Sequence, residues 1–311
     1  MTDVCKTIMY HYVRPIKNSY YPKIKGLEFE NFLNQMNFLK NNFTFINIDQ
    51  ILNKIDKNKE IPKKSLILTF DDGFKDHYQY VFPILKKMNI QGIFFPTGKS
   101  IDKKIVLDVH KIHHILANCD DNKELVNFIS EKIEEHKDEY DLVSSKKIYN
   151  KIAKVNRFDD ADIIFIKRSL QKELPEKLRI GIVNDLFQKY VTYNEKEFST
   201  KLYLSKDEIK EMIEEGMLVG SHGYSHSWLS NLNELEMDVE LKKSSEFLRK
   251  FSNDKNTWTF CYPYGDYDQR VVLKIEKMGF RVGFTTKFAE TELIKSKRFE
   301  LSRFDTNDFY Q

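Results

Sequence analysis

The sequence is short of cysteine, of charge imbalance and of long apolar runs, and each shortage excludes a class of protein. Cys5, Cys119 and Cys261 are the only cysteines in 311 residues. Three is an odd number, and their spacing is not that of a metal ligand set. The chain therefore reads neither as a disulfide-stapled scaffold nor as a zinc ribbon, but as a holder of free thiols in a reducing compartment. A net charge of +3, with 50 Lys and Arg against 47 Asp and Glu, gives no electrostatic footprint for nucleic acid. No apolar run approaches the ~20 residues of a spanning helix. Thr2, Asp3, Cys5 and Lys6 interrupt any apolar leader after Met1. The expectation is a cytoplasmic protein with no nucleic-acid partner and no transmembrane segment. Internal repeats and low-complexity tracts are lacking too, while 41% hydrophobic and 14% aromatic residues exclude a disordered chain.

What is present is an alternation of strand-like and helix-like segments. Thr7–Val13 is β-rich and carries His11 near its end. Glu28–Leu39 repeats apolar residues at helical spacing, and Phe43–Ile48 reads as a strand, with Asp49 capping a helix to Ile55. Ser65–Gly73 is an apolar strand that ends in Asp71, Asp72 and Gly73. A helix around Tyr78–Met88 and a strand at Gln91–Pro96 follow. Strand–helix alternation predicts a parallel sheet or barrel. From 101 to 204 the pattern becomes long, charged, helical segments (Lys123–Glu135, Ser145–Val155, Ala161–Lys172), read as a helical insertion between barrel halves 1–100 and 205–311. Ser205 with Glu208 forms a capping box and Gly216 ends that helix. Strands at Met217–Gly220, Thr257–Tyr262, Arg281–Thr285 and Leu301–Phe304 complete the series, with helices at Asn233–Phe251 and Gln269–Met278 between them.

Chemistry concentrates at three of these strand ends. Asp71 and Asp72 repel each other, which suits a cation or unequal protonation, although Asp-Asp-Gly alone reads equally as a turn. His222 and His226 follow a strand at a spacing that lets two imidazoles converge on one divalent ion; alone, such a pair in a Ser-rich loop is more often structural or merely exposed. Together with Asp72 they form a two-His, one-carboxylate set with open positions, and Asp71 beside it is a candidate general base. His110, His113 and His114 have helical spacing and read as a partly exposed helix face. Asp76 and His77 read as supporting groups or a helix cap, Trp258 as core, and Trp228 as core or an aromatic platform near the histidine loop.

Thr69-Phe70-Asp71-Asp72-Gly73, Gly220-Ser221-His222-Gly223-Tyr224-Ser225-His226 and Tyr262-Pro263-Tyr264-Gly265, in that order, resemble successive motifs of the polysaccharide deacetylases, the NodB-homology domain of carbohydrate esterase family four. The resemblance implies a distorted (β/α) barrel with a bound divalent metal, zinc first. It implies Asp71 as general base, Asp72, His222 and His226 as metal ligands, and Tyr264 as donor of an oxyanion-stabilising backbone N–H. Tyr262 and Tyr264 are expected to line the sugar pocket. Two departures stand out. The motif Arg two residues before the Pro is Cys261 here, and Arg303 is the candidate replacement. No His follows His226, so the general acid is assigned to His11, in Met9-Tyr10-His11-Tyr12-Val13, which resembles the early Tyr-His motif of permuted poly-N-acetylglucosamine deacetylases.

The resulting expectation is a metal-dependent N-deacetylase acting on an N-acetylated sugar, a nucleotide sugar or a lipid-linked glycan in surface-polysaccharide biosynthesis. The insertion is expected to act as a lid, to set substrate choice or to carry a homodimer contact. The alternatives are another amide hydrolase, such as a deformylase, on the same residues, or a catalytically silent carbohydrate-binding protein.

Overall fold

The computed structural model describes residues 4–156, 159–251 and 254–308. The chain divides into two compact units: residues 1–15, 26–105 and 199–311, and residues 16–25 with 106–198.

The first unit is a ring of parallel strands with helices between them. Its strands are β1 (Val4–Tyr10), β2 (Ser65–Asp72), β3 (Gly92–Pro96), β4 (Leu218–Val219), β5 (Thr259–Cys261), β6 (Val282–Phe284) and β7 (Phe304–Asp305). β1, β2, β3 and β4 pair in parallel in that order. Ser221 N–H donates to the Thr259 carbonyl (2.9 Å) and Cys261 N–H to the Ser221 carbonyl (2.8 Å), which carries the sheet across to β5. β5 pairs with β6. Thr285 N–H then donates to the Leu301 carbonyl and Leu301 N–H to the Gly283 carbonyl, both at 2.8 Å, and β7 returns to β1 with Ile8 opposite Phe304. The ring is therefore closed partly by single bridges, a distorted barrel. All eight residues of β2 are buried, as expected of a parallel strand covered on both faces.

Local signals explain the helices. Asn47, not Asp49, caps α1 (Ile48–Lys57), because its side chain and that of Gln50 exchange hydrogen bonds with each other's backbone in a capping box. The α2 helix (Phe82–Met88) accommodates Pro83 in its first turn, entered through a π-helical turn at His77–Val81. Ser205 and Glu208 cap α3 (Lys206–Glu214), and Asn233 and Glu236 cap α4 (Glu234–Arg249), again as capping boxes. Gly279 ends α5 (Gln269–Met278) at φ 98°, a conformation glycine adopts without steric cost.

The second unit is helical: Asp108–Asn118, Asn122–Glu135, Ser145–Ile152, Ala161–Arg168, Glu176–Tyr190 and Glu195–Leu202. Leu125, Ile129 and Ile133 are buried on one helix, and Leu178, Ile182, Val183, Leu186 and Phe187 on another, the spacing of core-facing stripes. His110 and His114 do not form an exposed face. Both are fully buried, and His114 meets the rings of Tyr21 and Phe198 edge-on at 4.6 and 4.9 Å. None of the described helices is long and apolar enough to cross a membrane.

Candidate active site at the carboxyl ends of the barrel strands

Parallel barrels gather chemistry where their strands end. His11, Asp71, Asp72, His222 and Tyr264 lie at or just beyond such ends, and Arg303 follows the bridge that Leu301 makes to Phe284. In a regular strand, neighbouring side chains point to opposite faces. Asp72 departs from that geometry at φ 72°, and its carboxylate stands with the two histidines. Gly73 follows at φ 68°, its Cα so close to β3 that an added Cβ would lie 2.6 Å from Pro96 Cβ.

Asp72 Oδ1 is 3.5 Å from His222 Nε2 and 3.3 Å from His226 Nε2. Ligands held about 2.1 Å from a tetrahedral zinc stand roughly 3.4 Å apart, so the three donors are spaced to share one ion. The tautomer agrees. His222 Nδ1–H donates to the Cys261 carbonyl (2.8 Å), which leaves the Nε2 lone pair on the Asp72 side, an orienting bond typical of metal-bound imidazole. Asp71, His222 and Cys261 also have donor atoms within 4.8 Å of one another. That second grouping is occupied by other bonds, because Asp71 is committed to an arginine.

That arginine is Arg303. Its Nη1 donates to Asp71 Oδ1 and its Nη2 to Asp71 Oδ2, both at 2.8 Å. Its Nε donates to the Thr285 carbonyl (2.8 Å) and its Nη1 also to Thr69 Oγ1 (3.1 Å). The guanidinium is fully buried. Burial alone would raise the Asp71 pKa, but the charge of Arg303 and its two hydrogen bonds to the carboxylate outweigh it and hold the carboxyl at about 2. The Cys261 thiol sits against this pair: Arg303 Nη2 donates to Sγ at 3.1 Å, and Sγ–H donates to Asp71 Oδ2 at 3.5 Å.

His11 Nε2 lies 3.9 Å from Asp71 Oδ2, with 41% of its side chain exposed. Its backbone is held by His77, whose Nε2–H donates to the His11 carbonyl at 2.8 Å. Asp76 does not cap a helix; it pairs with Arg14 at 2.6 Å. Tyr264 is left-handed (φ 59°) in the turn Pro263–Gly265. Its ring meets His226 edge-on at 4.5 Å and stacks on half-buried Trp228 at 4.2 Å. Tyr262 departs from expectation. It is fully buried and its hydroxyl donates to the Phe299 carbonyl (2.9 Å), so it belongs to the core and not to a sugar pocket. Trp258 is core, as its sequence context suggests.

One group has no counterpart among the residues that the sequence singles out. Glu240 of α4 accepts from the N–H groups of Tyr224 and Ser225, each at 2.7 Å, and from the Ser225 hydroxyl. The only signal for it in the sequence is a lone acid on the buried face of an amphipathic helix.

Comparisons with known proteins bear on the family and the fold. The sequence model of the polysaccharide deacetylases matches residues 58–155 and 183–283. YxkH of Bacillus subtilis, named for the polysaccharide deacetylases, is 20% identical over 231 residues, 74% of this chain and 48% of that protein. The poly-beta-1,6-N-acetyl-D-glucosamine N-deacetylase of Escherichia coli K12 is 35% identical over 63 residues, 20% of this chain and 9% of that protein. The chain thus spans about half the length of the first relative and a small part of the second. The fold is shared with the Streptococcus pyogenes deacetylase PplD, solved with acetate (TM-score 0.60, 16% identity, 97% of this chain and 92% of that one). It is also shared with IcaB from Ammonifex degensii (TM-score 0.55, 16% identity, 98% and 92%).

Proposed function

The chain belongs to the polysaccharide deacetylase family, and from that premise we propose that it removes an N-acetyl group from a sugar, with Asp72, His222 and His226 holding one divalent ion, zinc first. The observation that carries the reading is the pair of imidazole nitrogens 3.3 and 3.5 Å from Asp72 Oδ1, all three donors within 4.8 Å of one another, beside an aspartate bound by a buried arginine. When bound, the ion supplies Lewis-acid polarisation of the acyl carbonyl and makes water more acidic.

The chain's own groups supply the remaining steps. Asp71, its anionic form favoured by Arg303, accepts the proton of the attacking water. Arg303 fixes both its oxygens, in the role the family motif gives to the Arg that Cys261 replaces here. The Tyr264 N–H stabilises the oxyanion. His11, next to Asp71, protonates the departing amine. Tyr264 and Trp228, stacked beside His226, offer an aromatic wall to a sugar ring.

The substrate in this proposal is an N-acetylated sugar, nucleotide sugar or lipid-linked precursor, handled in the cytoplasm during surface-polysaccharide assembly. Its support is three free, buried thiols and the substrate for which the Escherichia coli relative is named. The helical unit, expected from sequence at residues 101–204, is proposed to set substrate choice or to carry a homodimer contact.

The test is elemental analysis of wild type and His222→Ala beside acetate release from N-acetylated sugars and nucleotide sugars. About one metal per chain, lost in the variant together with acetate release, is expected. Metal without acetate release redirects the reading to other acyl groups, such as formyl. Zinc-replete protein without metal makes a carbohydrate-binding protein the better account.

A further inference from the structure

We infer that Glu240 is a positioning residue for the metal loop, holding His222–His226 in the one conformation that brings both imidazoles to Asp72. The inference rests on the metal reading above and adds a residue that none of the three deacetylase motifs contains.

The loop has few internal reasons to hold its shape. Gly223 is left-handed at φ 69° and His226 at φ 59°, and for a residue with a side chain the latter conformation carries a cost that surrounding contacts offset. Between them, the consecutive N–H groups of Tyr224 and Ser225 both point to one acceptor, Glu240 Oε1, at 2.7 Å each. Successive amides that converge in this way form a concave anion site, and here a side chain of the same chain fills it. Glu240 Oε2 takes the Ser225 hydroxyl as well, so both carboxylate oxygens are engaged by the loop. The residue is 6% exposed, and charge-assisted bonds in such a place are stronger than neutral ones.

The neighbours confine the loop further. An added Cβ at Gly223 would lie 3.1 Å from Glu240 Oε1, so a side chain there would press on the carboxylate. From the other side, Lys99 N–H donates to the Tyr224 carbonyl at 2.7 Å. Gly98 passes so close to the Tyr224 ring that a Cβ there would lie 2.5 Å from it. The loop is thus pinned at its middle from two elements, and its two ends carry the histidines. Glu240 itself is fixed by α4, whose start is set by the Asn233–Glu236 capping box and whose Met237, Leu241 and Ser244 are buried beside it.

Removing the carboxylate leaves two part-buried N–H groups and one hydroxyl without their acceptor, and frees His226 to relax from its left-handed backbone. The consequence falls on the geometry of the donor set, not on the donors themselves.

The test uses the full chain loaded with cobalt(II) or zinc(II). Metal dissociation constants come from competition with a chromophoric chelator, and the visible absorption of the cobalt form reports its coordination. For Glu240→Ala the expected result is zinc affinity weaker by about 10–100-fold, with a changed position or intensity of the cobalt bands. Glu240→Gln keeps one acceptor oxygen without the charge, and Ser225→Ala removes only the hydroxyl bond. Both should fold where Glu240→Ala does not, with smaller losses in the order Gln above Ser225→Ala. A cobalt spectrum and a zinc affinity within twofold of wild type in folded Glu240→Gln overturn the inference. A wild type that binds neither metal overturns the metal reading first, and this inference with it.

Discussion

Arg303 and Asp71 meet in a two-bond, fully buried ion pair although 232 residues separate them in sequence. The position that usually supplies this cation holds Cys261, whose thiol packs against the same guanidinium. In the proposed reading Arg303, on the segment leading into β7, takes the place of an arginine at the end of β5.

Arg303→Met tests that exchange. Without the cation burial prevails, so the Asp71 pKa should rise from about 2 to above the ordinary carboxylate value. The acid limb of the pH–rate profile should move to higher pH, with turnover lower by at least about 10²-fold. Stability should fall by about 3–5 kcal/mol, since one member of a buried pair is left charged. The pair's contribution is present above the unfolded carboxylate range and is lost as pH falls through that range towards 2. Adding Asp71→Asn to Arg303→Met should restore much of the stability and none of the activity. Unchanged turnover with a normal pH profile in Arg303→Met would remove the assignment.

His11→Ala separates acid from ligand. Turnover should fall by about 10²–10⁴-fold while metal content, read by elemental analysis, stays at the wild-type level. Loss of metal instead would reassign His11 as a ligand.

His77 gives a pH signature independent of catalysis. Burial drives its pKa down to about 4, against a weaker upward pull from its bond to the His11 carbonyl. Between pH ~6.5 and about 4 the unfolded chain therefore binds the extra proton. The stability tied to neutral His77 is complete above ~6.5 and declines as pH falls through this window, by about 3 kcal/mol in total. Denaturant titrations from pH 7 to 4 should show this slope. His77→Gln, which retains a donor for the His11 carbonyl, should flatten it.

Gly73→Ala should cost about 1–3 kcal/mol, seen as a lower melting temperature. The new Cβ would meet Pro96 at 2.6 Å in a backbone of φ 68°. Because Gly73 adjoins Asp72, metal affinity should weaken as well.

Much of this site is legible because its residues sit next to strand ends in short motifs. Asp71, Asp72, His222 and His226 each follow a β-rich run, and the spacing of a turn fixes where such residues emerge. The capping box at Ser205 is equally local. What escapes depends on distant partners. The motif suggests Tyr262 as a pocket wall, but its hydroxyl reaches Phe299, 37 residues away. His110 and His114 look like an exposed face because polar residues at helical spacing usually are one; Tyr21 and Phe198, far off in sequence, make the His114 side interior. Glu240 carries no motif at all, and its meaning appears only when α4 lies against the histidine loop. The Arg303 contact is reachable from sequence only through the absence of arginine at Cys261.

The ring closed through Leu301 and β7 has a temporal consequence. A ribosome adding roughly 5–20 residues per second needs on the order of 10–50 s to pass from Asp71 to Arg303, given the 232 residues between them. Throughout that interval the nascent chain holds β2 and its acids with no counter-ion and with one flank of β1 unpaired. The Asp71 carboxylate is made early and meets Arg303 late, so the buried pair is assembled only as β7 arrives.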